Sequence, residues 1–318
     1  DQTRGWFYTL MVLSTALFDK PAFKNVVVNG LVLAENGKKM SKRLKNYPDP
    51  AYMINTYGAD AIRLYMVNSS VVKGEDLRFS EHGVKDLLRH ILIPLWNSYS
   101  FFVTYANVDR WSPGESMQAR SGNVLDRWIH SSLESLAEEV ASALDAFDLQ
   151  KAARPLVKFI DDLTNWYIRR SRRRFWKSQD DEDKKQAYQT LYYVLVQLSK
   201  IVAPFIPFIS ETIYRNLRTD RMPESVHLCD FPVSDGTSRD QVLERKMETV
   251  MTVVKLARQL RSEHDLKVRQ PLSRLLVVSR EKQVLEYVRE FADLVTDELN
   301  IKLVEFSGRE TELAELKA

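Results

Sequence analysis

Cysteine is almost absent: Cys229 stands alone in 318 residues, which excludes an internal disulfide and any Cys-rich zinc site within the chain. A reduced, cytoplasmic setting is therefore expected. Histidine is also scarce, and His82, His90, His130, His227 and His264 lack metal-ligand spacing, so no metal site is expected. The apolar stretch at residues 10–17 is broken by Ser14 and Thr15 and is too short to span a bilayer. With no signal peptide either, no membrane partner is expected. An excess of charge of one sign is missing too. Lys and Arg number 46 against 43 Asp and Glu, so the net charge of +3 is weak evidence for nucleic acid, and the distribution of charge must decide. No repeat or low-complexity segment interrupts an ordinary globular composition, and 318 residues suffice for two or three compact units.

What is present begins with a run of β-branched residues, Val26, Val27 and Val28, leading through Gly30 into Val32 and Leu33. It predicts a strand, with residues 26–28 at its centre, followed by a polar loop carrying Lys38, Lys39 and Lys42. Two ammonium groups three residues apart can close on a triphosphate and neutralise charge that develops as pyrophosphate leaves. A solvated basic turn is the competing reading. Met40 and Ser41 between the lysines are not what charge alone would select.

From residue 48 the pattern turns helical. Pro48 and Pro50 bracket a turn, residues 51–57 form a short helix ended by Gly58, and Asp60 is placed to cap residues 61–68. Residues 77–80 are briefly extended. Long amphipathic helices follow from Glu81, the first kinked near Pro94. Further helices carry stripes through Leu125, Trp128, Ile129, Leu133, Leu136, Val140 and Leu144, then Phe159, Ile160, Leu163 and Tyr167, then Tyr188, Leu191, Leu195, Leu198 and Val202, with a fifth at residues 209–217. Five helices with short joins predict a bundle. Residues 226–231 look extended, residues 243–260 helical, and residues 275–306 resemble a small strand-helix-strand unit.

Residues 151–177 hold nine basic side chains (Lys151, Arg154, Lys158, Arg169, Arg170, Arg172, Arg173, Arg174 and Lys177) against Asp161 and Asp162. A helix macrodipole excuses one or two cations at a C-terminus, at about 0.3 to 1 kcal/mol each, but not five arginines that repel one another. A polyanion is the economical partner. Arginines fork onto phosphates, and Trp166 and Trp176 offer faces for unpaired bases. The competing reading makes Trp166 and Tyr167 bundle core and pairs some arginines with Asp180, Asp181, Glu182 and Asp183. Lys267 to Pro271, with Arg258 and Arg261 before it, is a weaker basic spot.

Lys39-Met40-Ser41-Lys42-Arg43 resembles the signature lysine loop of class I aminoacyl-tRNA synthetases, with Arg43 where serine is usual. Asp1-Gln2-Thr3-Arg4-Gly5-Trp6-Phe7 narrows the resemblance to the isoleucyl-tRNA synthetase family, since valyl and leucyl relatives differ there. The likeness continues through Asn165-Trp166-Tyr167, Ala203 to Phe208 and Lys267 to Leu272, nearly the whole chain. It implies a mainly α fold: the C-terminal remnant of a Rossmann-like catalytic domain (1–47), a stem-contact unit (48–80), an α-helical anticodon-binding bundle (81–224) and a small α+β C-terminal junction (225–318). The implied activity is activation of isoleucine with ATP and transfer to tRNA(Ile).

By that resemblance Lys39 and Lys42 are catalytic. Asp1 and Gln2 contact the aminoacyl-adenylate, Trp6 lines its pocket, Gly30, Leu31 and Val32 lie beside adenine, and Met40 and Ser41 belong to the nucleotide loop. At Gly30 the missing side chain is expected to let the backbone approach the base. Arg78, Trp166, Arg169, Arg170, Arg172, Arg173, Arg174, Trp176 and Lys177 are the expected tRNA contacts. ATP and Mg2+ serve the whole enzyme, a monomer is expected, and nothing is expected to stay bound to this chain alone. The family's His-x-Gly-His signature and its editing insertion are absent, so the chain reads as a C-terminal fragment inactive by itself. A single methylene separates isoleucine from valine by a factor of only about 100, hence the need for editing elsewhere. A valyl-tRNA synthetase fragment and a non-catalytic helical RNA-binding protein are the alternatives.

Overall fold

The computed structural model describes residues 4–114, 121–176, 181–234, 236 and 239–309. Its first helix, α1 (Trp6–Phe18), buries no residue, and Trp6, Tyr8, Leu13, Leu17 and Phe18 are each more than half exposed. The strand expected at residues 26–28 is not formed. Val26, Val27 and Val28 are exposed and belong to no sheet, because β propensity makes a ladder only where a second strand accepts it. The pairing that does form is β1 (Val32–Leu33) parallel to β2 (Leu77–Arg78), with Val32 opposite Leu77 and Leu33 opposite Arg78. The extended piece at residues 77–80 thus returns to the foot of the lysine loop.

Between these strands lie two short helices. In α2 (Pro50–Tyr57) the Asp49 carboxylate accepts from the Tyr52 N–H at 3.0 Å, Pro50 occupies the first turn, and Gly58 ends the helix at φ 81°. Asp60 does not cap α3 (Ala59–Val67) as expected. It lies buried inside the first turn, and its carboxylate accepts from the N–H groups of Ile209 (2.7 Å) and Phe208 (3.3 Å). Those are orphan donors at the start of α10 (Pro207–Leu217), a helix distant in sequence whose opening Pro207 leaves room for an external cap. The Arg63 guanidinium donates to the Pro204 carbonyl at 3.1 Å and the Gln150 amide to the Asn68 carbonyl at 3.2 Å. These bonds fasten the connecting unit to the bundle.

The bundle opens with a rod of α4 (Glu81–Leu87), a π turn at Leu88–Leu92 and α5 (Ile93–Val108). The π turn comes immediately before Pro94, where the wider winding accommodates the missing N–H and the ring. After α6 (Val124–Asp145), a second rod runs through α7 (Leu149–Asp161), a π turn at Asp162–Ile168 and α8 (Arg169–Trp176). The helix α9 (Glu182–Val202) is the axis of the core, with Leu191, Val194, Leu195, Leu198 and Ile201 all essentially inaccessible. Each such side chain contributes roughly 1.5 to 3 kcal/mol by leaving water.

Residues 226–228, expected to be extended, form a single 3-10 turn: the Ser225 hydroxyl accepts from the His227 N–H, and Glu211 accepts from the Val226 N–H at 2.8 Å. Beyond α11 (Gln241–Glu263), strand β3 (Leu272–Val278) pairs in parallel with β4 (Ile301–Ser307) across a crossover of α12 (Lys282–Glu290) and α13 (Ala292–Leu299). The one helix expected there is two, parted at Phe291, which faces the interior. Among the described residues no helix is long and apolar enough to cross a membrane.

Candidate functional site

The lysine loop is a closed structure rather than a free tether. Its descending limb pairs with its start: the Ala34 N–H donates to the Lys38 carbonyl at 2.9 Å, and Leu33 bridges Lys39. Gly37 turns the chain at φ 77°, and the Arg78 side chain lies so close beneath it that a Cβ would sit 3.2 Å from Nε. On the far side the Asn46 amide reaches back to the backbone of Lys39 and Ser41. Lys38, Lys39, Lys42 and Arg43 are exposed, while Met40 and Ser41 are partly buried. The loop therefore points its cations outward and its sulfur inward. Neither Lys39 nor Lys42 forms an ion pair among the described residues, so both ammonium groups are available to phosphate oxygens.

Gly30 is tightly held by its own chain. A Cβ there would meet the Glu75 carbonyl oxygen at 1.9 Å, so the space freed by glycine is filled by the turn at residues 71–75. The Gly30 N–H donates to the Val71 carbonyl at 2.7 Å and the Leu31 N–H to Asp76 Oδ1 at 3.1 Å. Leu31 itself is exposed and Val32 lies in β1.

The arginine-rich end of the second rod divides in two. Arg174 is buried and donates from Nη1 to Asp126 Oδ1 at 2.6 Å, from Nη2 to Oδ2 at 2.8 Å, and from Nε to Asp183 Oδ1 at 2.9 Å. Asp126 is fully buried and also accepts from the Tyr167 hydroxyl (2.8 Å) and the Ser121 hydroxyl (2.6 Å). Burial pulls the Arg174 guanidinium down, but the bonds and charge of Asp126 outweigh it and hold its pKa above the ordinary value. Burial, reinforced by the Asp126 charge, pushes the Tyr167 phenol well up.

Arg170 donates to Glu298 Oε2 at 2.7 Å and to Asp297 at 3.2 Å, with its guanidinium 5.3 Å from the centre of the Trp166 ring. Arg169 and Arg258 converge on the other oxygen of Glu298. Burial lowers the pKa of both Arg169 and Arg170, against the opposing pull of Asp297. Trp166 is buried and gives its indole N–H to Met247 Sδ at 3.2 Å. Arg172 and Arg173, by contrast, are exposed without an ion pair among the described residues, and Trp176 is 55% exposed with its N–H on the Tyr105 hydroxyl.

Comparison with known proteins covers both the lysine loop and the arginine-rich rod. A family model described as tRNA synthetases class I (I, L, M and V) matches residues 1–80, and one described as the anticodon-binding domain of tRNA ligase matches residues 126–276. Isoleucine–tRNA ligases are similar over the entire chain: that of Protochlamydia amoebophila is 57% identical over 318 residues and that of Treponema pallidum 51% identical over 330. The chain belongs to the class I aminoacyl-tRNA synthetases. It spans about 30% of the length of those curated relatives, while they cover all of it. Among solved structures, the LeuRS of Agrobacterium radiobacter, determined as a ternary complex with tRNA and LeuAMS, matches with a TM-score of 0.56 and 19% identity over 74% of this chain and 27% of its own. That likeness shows the fold.

Within this class I chain, Asp1, Gln2 and Lys177 lie outside the described residues. Trp6 stands at the start of α1, exposed. The structure gathers Gly30, Val32, Arg78 and the lysine loop around one two-stranded ladder. It corrects the arginine helix: Trp166, Arg170 and Arg174 are interior, so they offer neither a free ring face nor a free guanidinium to RNA. The signal was present as a heptad. Ala153, Ile160, Tyr167 and Arg174 are each seven apart, as are Leu156, Leu163 and Arg170, so both arginines continue buried stripes. Asn46, Asp126 and Glu298 carried no signal of this kind, because their partners are set by tertiary folding.

Proposed function

We propose that this chain is the segment of an isoleucine–tRNA ligase that supplies the lysine loop to the ATP site and holds tRNA(Ile) by its anticodon arm. The observation that carries the reading is the presentation of Lys39 and Lys42, outward and unpaired among the described residues, from a loop whose backbone is closed at both ends. Two such cations suit the phosphates of ATP as the isoleucine carboxylate attacks the α-phosphate in line, and in this reading Lys42 is the one that meets the departing pyrophosphate. The donor chemistry fits a triphosphate: the loop brings cations, and Mg2+, arriving with the nucleotide, supplies further neutralisation when bound. The backbone at Gly30 to Val32 flanks the adenine side. Arg172, Arg173 and Trp176, with Arg78 beside the loop, are the tRNA contacts retained in this reading. A cytoplasmic monomer is proposed.

The uncovered apolar face of α1 and the exposed valines at residues 26–28 support the view that a further part of the catalytic domain packs there. The longer protein is accordingly expected to show isoleucine-dependent ATP–pyrophosphate exchange, and the 318-residue chain alone none while still binding tRNA. Exchange by the chain alone would overturn this division of labour; exchange driven by valine instead of isoleucine would move the specificity to the valyl branch.

A further inference from the structure

Asn46 lies beyond the signature pentapeptide, and its side chain spans the loop that carries it. Its Oδ1 accepts from the Ser41 N–H at 2.9 Å and its Nδ2 donates to the Lys39 carbonyl at 3.1 Å. Only one orientation of the amide satisfies both partners, since one offers a hydrogen and the other a lone pair. The two bonds hold the peptide units on either side of Met40, so the backbone from Lys39 to Ser41 has one shape. Lys39 is also bridged to Leu33, so the stapled segment is continuous with β1 and, through it, with β2.

Met40 completes the arrangement. Its side chain lines an apolar cleft of about 390 Å³ shared with Val32, Tyr47, Pro48, Met53 and Phe79. With Met40 turned inward and the peptide units around it fixed, the exit of the Lys39 side chain is set, and the Ser41 carbonyl, which accepts from the Leu44 N–H at 3.2 Å, carries the constraint into the turn that bears Lys42. A lysine on a free loop would lose backbone entropy on meeting phosphate; here part of that ordering precedes binding.

We infer that Asn46 is the positioning residue of the lysine loop: it acts through Lys39 and Ser41 to hold the two ammonium groups in register for the triphosphate. The inference rests on the proposed function for its catalytic half. Substitution Asn46→Ala removes both bonds, whereas Asn46→Asp keeps an acceptor for the Ser41 N–H and loses the donor to Lys39.

The test has two arms. In the 318-residue chain, hydrogen exchange at the Ser41 amide is expected to rise about ten-fold in Asn46→Ala and to stay slow in Asn46→Asp. In the longer protein, Asn46→Ala is expected to lower kcat for isoleucine-dependent ATP–pyrophosphate exchange about ten-fold, with the KM for isoleucine and the tRNA affinity unchanged. Unaltered Ser41 exchange in Asn46→Ala overturns the staple. A parallel loss of kcat, isoleucine binding and tRNA affinity overturns positioning in favour of general damage. Absence of isoleucine-dependent exchange in the unsubstituted longer protein overturns the functional reading and the catalytic half of this inference, and the Ser41 arm decides the staple separately.

Discussion

Arg174 meets Asp126 through both terminal nitrogens, so Arg174→Met would strand a fully buried carboxylate beside the Tyr167 hydroxyl. The expected loss is about 3 to 5 kcal/mol of unfolding free energy, read by urea denaturation. The double variant Arg172→Ala, Arg173→Ala should leave the unfolding free energy within about 0.5 kcal/mol of the parent and weaken tRNA binding, since both side chains are exposed. A triple variant that includes Arg174 would confuse the two effects. His130 offers a pH test at the same scale. Burial holds its pKa below the ordinary imidazole value, against the pull of Asp126, and its ring lies 4.9 Å from that of Tyr193. The folded state therefore favours the neutral ring, and the associated stability is complete above the unfolded pKa of about 6.5 and is lost as pH falls toward the depressed folded value. His130→Phe should flatten the stability profile between about pH 7 and pH 5; an unchanged slope would show that other groups set it.

Among the elements, the cap that Asp60 gives to α10 ties the short helices to the bundle. Asp60→Ala is expected to cost about 0.5 to 2 kcal/mol, with the amide exchange of Phe208 and Ile209 accelerated. Faster exchange at Ala61 or Ile62 in their place would return the cap to α3. Burial raises the pKa of this carboxylate while its two backbone donors lower it, so its native form binds a proton more tightly than the unfolded chain and the substitution should not relieve acid sensitivity. The helices themselves were legible from sequence, because α6 and α9 repeat apolar residues at helical spacing over five or more turns. The two-residue ladder of Val32–Leu33 with Leu77–Arg78 was not: so short a pairing leaves no periodicity, and residues 26–28 carry the stronger strand composition. The lysine loop was legible as a motif, but its closure by Asn46 depends on a chain reversal that spacing alone does not specify. Along the second rod the heptad from Tyr167 to Arg174 was legible, yet five neighbouring positive charges draw attention to solvent and away from a buried acid on another helix.

At the scale of the molecule, Glu298 joins the bundle to the C-terminal unit. Arg169 and Arg170 reach it from α8 and Arg258 from α11, while its own backbone belongs to α13. This convergence bears on how RNA binding should respond to salt. Binding to a nucleic acid is strengthened by the ions a phosphate backbone releases when a protein cation replaces them, with a slope of log affinity against log salt of roughly 0.7 to 0.9 per contact. Arg172→Ala with Arg173→Ala should therefore reduce the magnitude of that slope by about 1.5, and an unchanged slope would remove both from the interface. Arg170 belongs to a different account. Its guanidinium is already taken up by Glu298 and Asp297 in the folded chain, so it displaces no condensed cation from RNA and adds nothing to that slope.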